Sequence, residues 1–112
     1  MKPTTADLEK VKQVIGIVSD ITGISRSKIR LRDRHSNIST ARFMVYYVLH
    51  YYYKFAFKHI GRMLKRHHVT IMYGVNVAET WDESNKFRDK FAVKCGEQLQ
   101  QVMNILNDKS NG

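Results

Sequence analysis

The stretch that most constrains the fold is Phe43 to Tyr53, FMVYYVLHYYY, eleven residues of which all but His50 are apolar or aromatic. Wound as a helix it is apolar nearly all the way round, so it must be buried on most sides and the rest of the chain must supply its cover. A membrane span is the alternative for such a run. It fails because the run is short of roughly 20 residues and is broken by His50, Lys54 and Lys58 among many tyrosines. The tyrosines read first as core residues with a wet hydroxyl, and only second as platforms for stacked bases.

Directly after it, Phe57 to Ala78 (FKHIGRMLKRHHVTIMYGVNVA) reads as two helical segments joined by a very short basic turn, the outline of a helix-turn-helix. In the first segment Ile60, Met63 and Leu64 share one face, leaving Lys58, His59 and Arg62 outside it. Ile71, Met72, Val75 and Ala78 repeat the pattern in the second. Between them, Lys65-Arg66-His67-His68 places basic groups where a helix begins, against a macrodipole that is already positive there. The arrangement is self-repelling unless an anion occupies that end, where unpaired backbone N–H groups are a ready phosphate site. A solvated basic turn between two surface helices would account for the same residues.

Charge is segregated. From Ile24 to His68 there are eleven Lys/Arg (Arg26, Lys28, Arg30, Arg32, Arg34, Arg42, Lys54, Lys58, Arg62, Lys65, Arg66) against one acid, Asp33, a balance of +10. All five histidines lie in that span, and the remaining eight basic and nine acidic residues leave −1, for the total of +9. A basic face kept for solubility does not require this segregation; a polyanion-binding face does.

The flanks supply support. Thr4 or Thr5 can cap a helix beginning near Ala6 with Asp7 and Glu9 in its first turn; Leu8, Val11, Ile15 and Val18 form its stripe and Gly23 its stop. Ser25 to Arg32 predicts a short helix running into a basic loop, Arg32-Asp33-Arg34-His35-Ser36. A short strand is the alternative there, with no partner strand visible elsewhere. Ser36 or Asn37 can cap the long apolar helix, which should run to about Lys54. Asp82, Glu83 and Ser84 offer caps for a last helix over about 83–107, striped by Phe87, Phe91, Cys95, Leu99, Val102 and Leu106. The one cysteine, Cys95, rules out an internal disulfide and reads as a small buried hydrophobe. MKPTTADLEK lacks a signal-peptide apolar core.

Two motifs carry a family resemblance. Ile60-Gly61-Arg62 followed by Arg66-His67-His68-Val69-Thr70-Ile71 resembles the signature of the C-terminal DNA-binding domain (domain IV) of the bacterial replication initiator DnaA, where Ile-Gly precedes an Arg-Asp-His-Ser/Thr-Thr-Val run. Upstream, Ala41-Arg42-Phe43-Met44 is similar to that family's Pro-Arg-Gln-Met or Ala-Arg-Gln-Ile at nearly the family spacing. The likeness covers about 11–78. It implies an all-α, Trp-repressor-like bundle of five or six helices forming one DNA-binding domain over 1–112. A recognition helix of about 66–80 would lie in the major groove and a basic loop of about 32–36 at the minor groove. By the same resemblance His67, His68, Val69 and Thr70 read bases, Arg34 enters the minor groove, and Arg32, Arg42, His50, Lys58, Lys65 and Arg66 hold phosphates.

Three departures stand out. Lys65 replaces the usual Gly-Gly and shortens the turn, His67 stands for the family's aspartate, and Val69 for one threonine. An acid that accepts from cytosine N4 has thereby become a group that cannot do so when protonated, so the family's base sequence does not carry over to this chain from the resemblance. The sequence contains no nucleotide-binding module like the initiator's, so it is expected to be either an excised domain or, as the initial methionine suggests, a stand-alone relative acting in replication initiation or its regulation, as a phage-type protein, or as a transcriptional regulator. Expected surroundings are the cytoplasm and nucleoid, or a host's cytoplasm. The expected partner is double-stranded DNA, with neither a membrane nor a small-molecule substrate, and with a dimer or partner contact through the last helix left open. Nothing points to catalysis or a cofactor: Gly-rich phosphate loop, paired carboxylates and supported Cys–His pair are all missing. His59, His67 and His68 lack a carboxylate or thiol partner for a metal. A basic protein-interaction module is the rival reading, and RNA binding a third.

Overall fold

The computed structural model describes residues 2–30, 36–81 and 90–111. These form α1 (Thr5–Thr22), α2 (Arg26–Arg30), α3 (Ser36–Tyr51), α4 (Phe57–Leu64), α5 (His68–Glu79) and α6 (Lys90–Asn111), and no strand occurs among them. The all-α expectation holds, and the apolar run takes the place its composition demands: each of the other five helices packs against α3, α5 most extensively. Ala41, Met44, Val48 and Leu49 are wholly buried, with Val45 and Tyr46 nearly so. At about 1.5–3 kcal/mol for each large apolar side chain removed from water, this helix anchors the core.

Helix α1 begins and ends as its sequence indicates. Thr4 Oγ1 accepts from the Asp7 N–H at 3.1 Å while Asp7 Oδ2 accepts from the Thr4 N–H at 3.2 Å, a reciprocal capping box. Gly23, at φ 76°, closes the other end in the left-handed conformation by donating to Ser19 O. Val11, Val14, Ile15 and Val18 are buried, but Leu8 in the first turn is exposed.

His59 of α4 puts Nε2 3.0 Å from Asp7 Oδ2, so the cap of α1 is also a tie to the helix-turn-helix. The backbone bond from Thr4, with the His59 contact next in weight, holds the Asp7 carboxyl below its ordinary value of 3.8. A depressed carboxyl contributes stability that is fully present above its unfolded value and is lost as pH falls through the folded one. Asp7→Ala should therefore lower the urea midpoint near neutral pH, and the gap to wild type should close as pH drops below about 4. A gap that persists at about pH 2 would mean that the carboxylate is not its source.

Helix α3 ends at Tyr51, three residues short of the expected Lys54. Lys54 takes φ 62°, and the Tyr52 and Tyr53 N–H groups both close on Val48 O, which swings the chain into α4. The capping position before Ser36 lies outside the described residues, as do Asp82, Glu83 and Ser84. Tyr46 is buried and Tyr47, Tyr52 and Tyr53 pack against the core, as expected, but Tyr51 is exposed and the hydroxyls expected in water bond to protein: Tyr52 Oη donates to Leu106 O of α6 and Tyr53 Oη to Gln13 Oε1 of α1, both at 3.0 Å. Helix α6 packs back on α1 and α3 through Cys95, Leu99, Val102 and Leu106, whereas Phe91 stays half-exposed. No described helix is long and apolar enough to cross a membrane.

Candidate nucleic-acid interface

Helices α4 and α5 form the helix-turn-helix, and Gly61 is the point on which it turns. A Cβ at this position would lie 2.5 Å from Arg66 O and 3.4 Å from His68 N, so the backbone of α4 touches the start of α5 directly. The Arg66 N–H returns to Gly61 O at 2.9 Å. Between the helices Lys65 sits at φ 55°, ψ 48°, a left-handed conformation that glycine adopts more readily. Lysine there carries local strain and places an ammonium at the turn.

The buried face of α5 is Ile71, Gly74, Val75 and Ala78. Met72, expected on that face, is 38% exposed instead. The reason is Gly74, whose missing side chain hides its role from an apolar-residue pattern. Phe43 and Tyr46 of α3 lie against its Cα, and a Cβ would come within 2.6 Å and 2.7 Å of their rings. This close approach rotates α5 so that Val69, Met72 and Tyr73 face outward at 48%, 38% and 62% exposure. Tyr73 is steadied edge-on by Phe43, with ring centroids 5.9 Å apart.

The amino end of α5 is capped by His67, whose Nδ1 accepts from the Val69 N–H at 3.2 Å. That geometry requires Nδ1 to be unprotonated, so the histidine supplies the acceptor that aspartate supplies elsewhere as an N-cap. Its ring stacks on that of His68 at 4.5 Å. Thr70 is exposed. Lys58, Arg62, Lys65 and Arg66 surround this helix end and, with Gly61, His67 and His68, line a shallow concavity over it. Four of the expected contact residues (His67, His68, Val69, Thr70) and three of the expected phosphate holders (Lys58, Lys65, Arg66) thus come together. Arg62 belongs with them; its position outside the apolar face of α4 was the available signal.

Two expected phosphate holders are placed otherwise. Arg42 is 8% exposed, and its guanidinium donates to Ile29 O at 2.8 Å and Lys28 O at 3.0 Å. The last carbonyls of a five-residue helix have no intrahelical partner, and Arg42 satisfies two of them. His50 Nδ1 lies 2.9 Å from Phe55 O, and its ring stacks on Phe57 at 4.2 Å, which makes it part of the α3–α4 joint. Both side chains are committed to the fold. Arg66 has a share in the same work, since its Nη2 donates to Arg30 O at 3.2 Å. Consecutive carbonyls at the end of α2 are therefore held by arginines from α3 and from the turn. Arg32 and Arg34 lie outside the described residues.

Among the described residues no group of three or more His, Cys, Asp or Glu is placed to hold a metal ion. A family model described as the bacterial dnaA protein helix-turn-helix matches residues 11–77. No curated protein and no solved structure gives a match. The matched span is more than half of the chain and runs from the buried part of α1 through the exposed turn to nearly the end of α5. With its Ile-Gly pivot, basic turn and outward-facing second helix in place, the chain belongs to the bacterial DnaA C-terminal helix-turn-helix family, whose domain binds DNA and is not a catalytic one.

Proposed function

We propose that the protein binds double-stranded DNA sequence-specifically, with α5 in the major groove, in replication initiation or its control. The observation that carries this is the convergence of Lys58, Arg62, Lys65 and Arg66 on the amino end of the helix that also exposes Val69 and Thr70. Cations about a helix start hold phosphates and set register, while the side chains of the first turn reach base edges. His67 and His68 can donate from a ring nitrogen to a purine acceptor; Val69 and the Thr70 methyl can meet a thymine methyl. Residues 32–36, which follow the clamped end of α2, would reach the adjacent minor groove with Arg34. Arg42 and His50 have no phosphate role in this reading.

Four phosphate contacts give a salt slope of about −3.6 on logarithmic axes, so affinity should fall about 150-fold between roughly 50 and 200 mM salt. Lys58→Ala should make the slope shallower by about one unit and weaken all duplexes alike. Filter binding or fluorescence anisotropy across salt concentrations measures this, and an unchanged slope in Lys58→Ala, Arg62→Ala and Lys65→Ala would remove the phosphate face.

Base reading is separable from phosphate holding. His68→Ala and Thr70→Ala should each cost about 1–3 kcal/mol on the preferred site and little on nonspecific duplex. Selection from randomised duplexes, with folding checked by circular dichroism, tests this directly. Recovery of the wild-type motif by both variants would show that α5 does not read bases, and the outward apolar group Val69, Met72 and Tyr73 would then favour a protein-interaction surface.

A further inference from the structure

A second concavity lies behind the turn. It is a cleft of about 420 Å³ between α1, α2, α3 and the α4–α5 turn. Its floor is apolar, made by Ile15, Ile29, Val45 and Met63, all almost fully buried. Its mouth carries Arg30 and Lys65, both exposed. On its walls are Arg42 and Arg66, and no carboxylate is among the described lining residues.

Each of these features bears on what could enter. Arg66 spends a hydrogen bond on the carbonyl of Arg30, but a carbonyl neutralises no charge, so its positive potential persists in the cleft. Tyr46 presents a neutral phenol: burial pushes it above its ordinary range, against the opposing pull of Arg66 and Arg42. Arg30 and Lys65 bring mobile donors to the rim. The volume is at the small end of the roughly 300–1,000 Å³ typical of small-molecule sites, which are likewise apolar with a few converging polar groups. A DNA phosphate would meet the rim charges and leave the apolar floor unused. An anion with a hydrocarbon body uses both.

We propose that this cleft binds a small organic carboxylate with an aryl or alkyl body, and that this ligand and duplex DNA exclude one another. The carboxylate sits at Arg30 and Lys65 while the body lies on Ile29, Val45 and Met63. Exclusion follows because Lys65 and Arg66 belong to both surfaces and one anion neutralises what the other needs; by linkage each ligand lowers affinity for the other by the same factor. The second half rests on the DNA reading above. The first half does not.

The test uses 4-phenylbutyrate and its neutral amide, 4-phenylbutyramide, titrated into the isotopically labelled full chain and followed by backbone amide shifts. The carboxylate should bind at about millimolar Kd, the affinity that a dozen non-hydrogen atoms reach at ordinary ligand efficiency. Its shifts should centre on Ile29, Val45, Tyr46 and Leu64, and the amide should bind about tenfold more weakly. Arg30→Gln, at an exposed site outside the proposed DNA face, should weaken the carboxylate severalfold with the fold unchanged. Equal binding of acid and amide, or shifts centred elsewhere, would overturn the site.

For the exclusion, duplex affinity is measured with and without saturating 4-phenylbutyrate at constant ionic strength. A severalfold loss supports it; an unchanged duplex Kd overturns it. Should wild type bind no duplex at all, the DNA reading fails, and the amide-shift titration still decides the cleft.

Discussion

Arg42→Ala is expected to cost about 2–4 kcal/mol of folding stability while leaving the salt dependence of duplex binding, per folded molecule, where it was. Removing the side chain leaves Ile29 O and Lys28 O without their donors, and an unsatisfied buried acceptor costs about 1–3 kcal/mol. The Ile29 bond is wholly buried, so water cannot replace it cheaply. Against a total of roughly 5–15 kcal/mol for a native domain the loss is large. Arg42→Lys should recover only part of it, because one ammonium cannot reproduce two forked bonds from a planar guanidinium. Denaturant unfolding of the three proteins, with anisotropy titrations at several salt concentrations, measures both quantities. A stable Arg42→Ala whose salt slope drops by about one unit would return this residue to the phosphate face.

Gly61→Ala should damage both stability and binding, because the atom it crowds is backbone. With Arg66 O 2.5 Å from the new methyl, and the Arg66 N–H tied to Gly61 O, relief requires the start of α5 to move away from α4. Overpacking of this kind costs about 1–3 kcal/mol. The displacement falls on Arg66, His67 and His68, so duplex affinity per folded molecule should drop by about tenfold or more if they form the interface. Gly74→Ala is the comparison. Its methyl meets side-chain rings, those of Phe43 and Tyr46, rather than the backbone of the turn, so a similar loss of stability should come with a smaller loss of binding. Unfolding midpoints and duplex titrations on both variants decide the matter; equal binding losses would mean that the turn has no special part in recognition.

Much of the architecture was legible in the residues because it follows from local chemistry. Apolar residues all round Phe43 to Tyr53 forced a central helix, Thr4 with Asp7 and Gly23 marked both ends of α1, and the Ile60 and Ile71 patterns delimited the two arms of the turn. Ile-Gly and the basic run identified the family, since a backbone crossing admits only glycine and that requirement is written into the motif.

What only the tertiary structure decided is which partner each side chain meets. Arg42 reads as a phosphate ligand in the sequence because a guanidinium binds carbonyl and phosphate oxygens with the same N–H fork; the docking of α2 against α3 supplies the carbonyls. His50 is turned inward in the same way by the bend at Lys54, a left-handed residue that no propensity for lysine would have marked. Met72 reads as a core residue because periodicity counts side chains, whereas the rotation of α5 is set by Gly74, which has none. Helical periods are local and survive in one dimension; the choice between an internal acceptor and an external one depends on segments that meet only after the chain has folded.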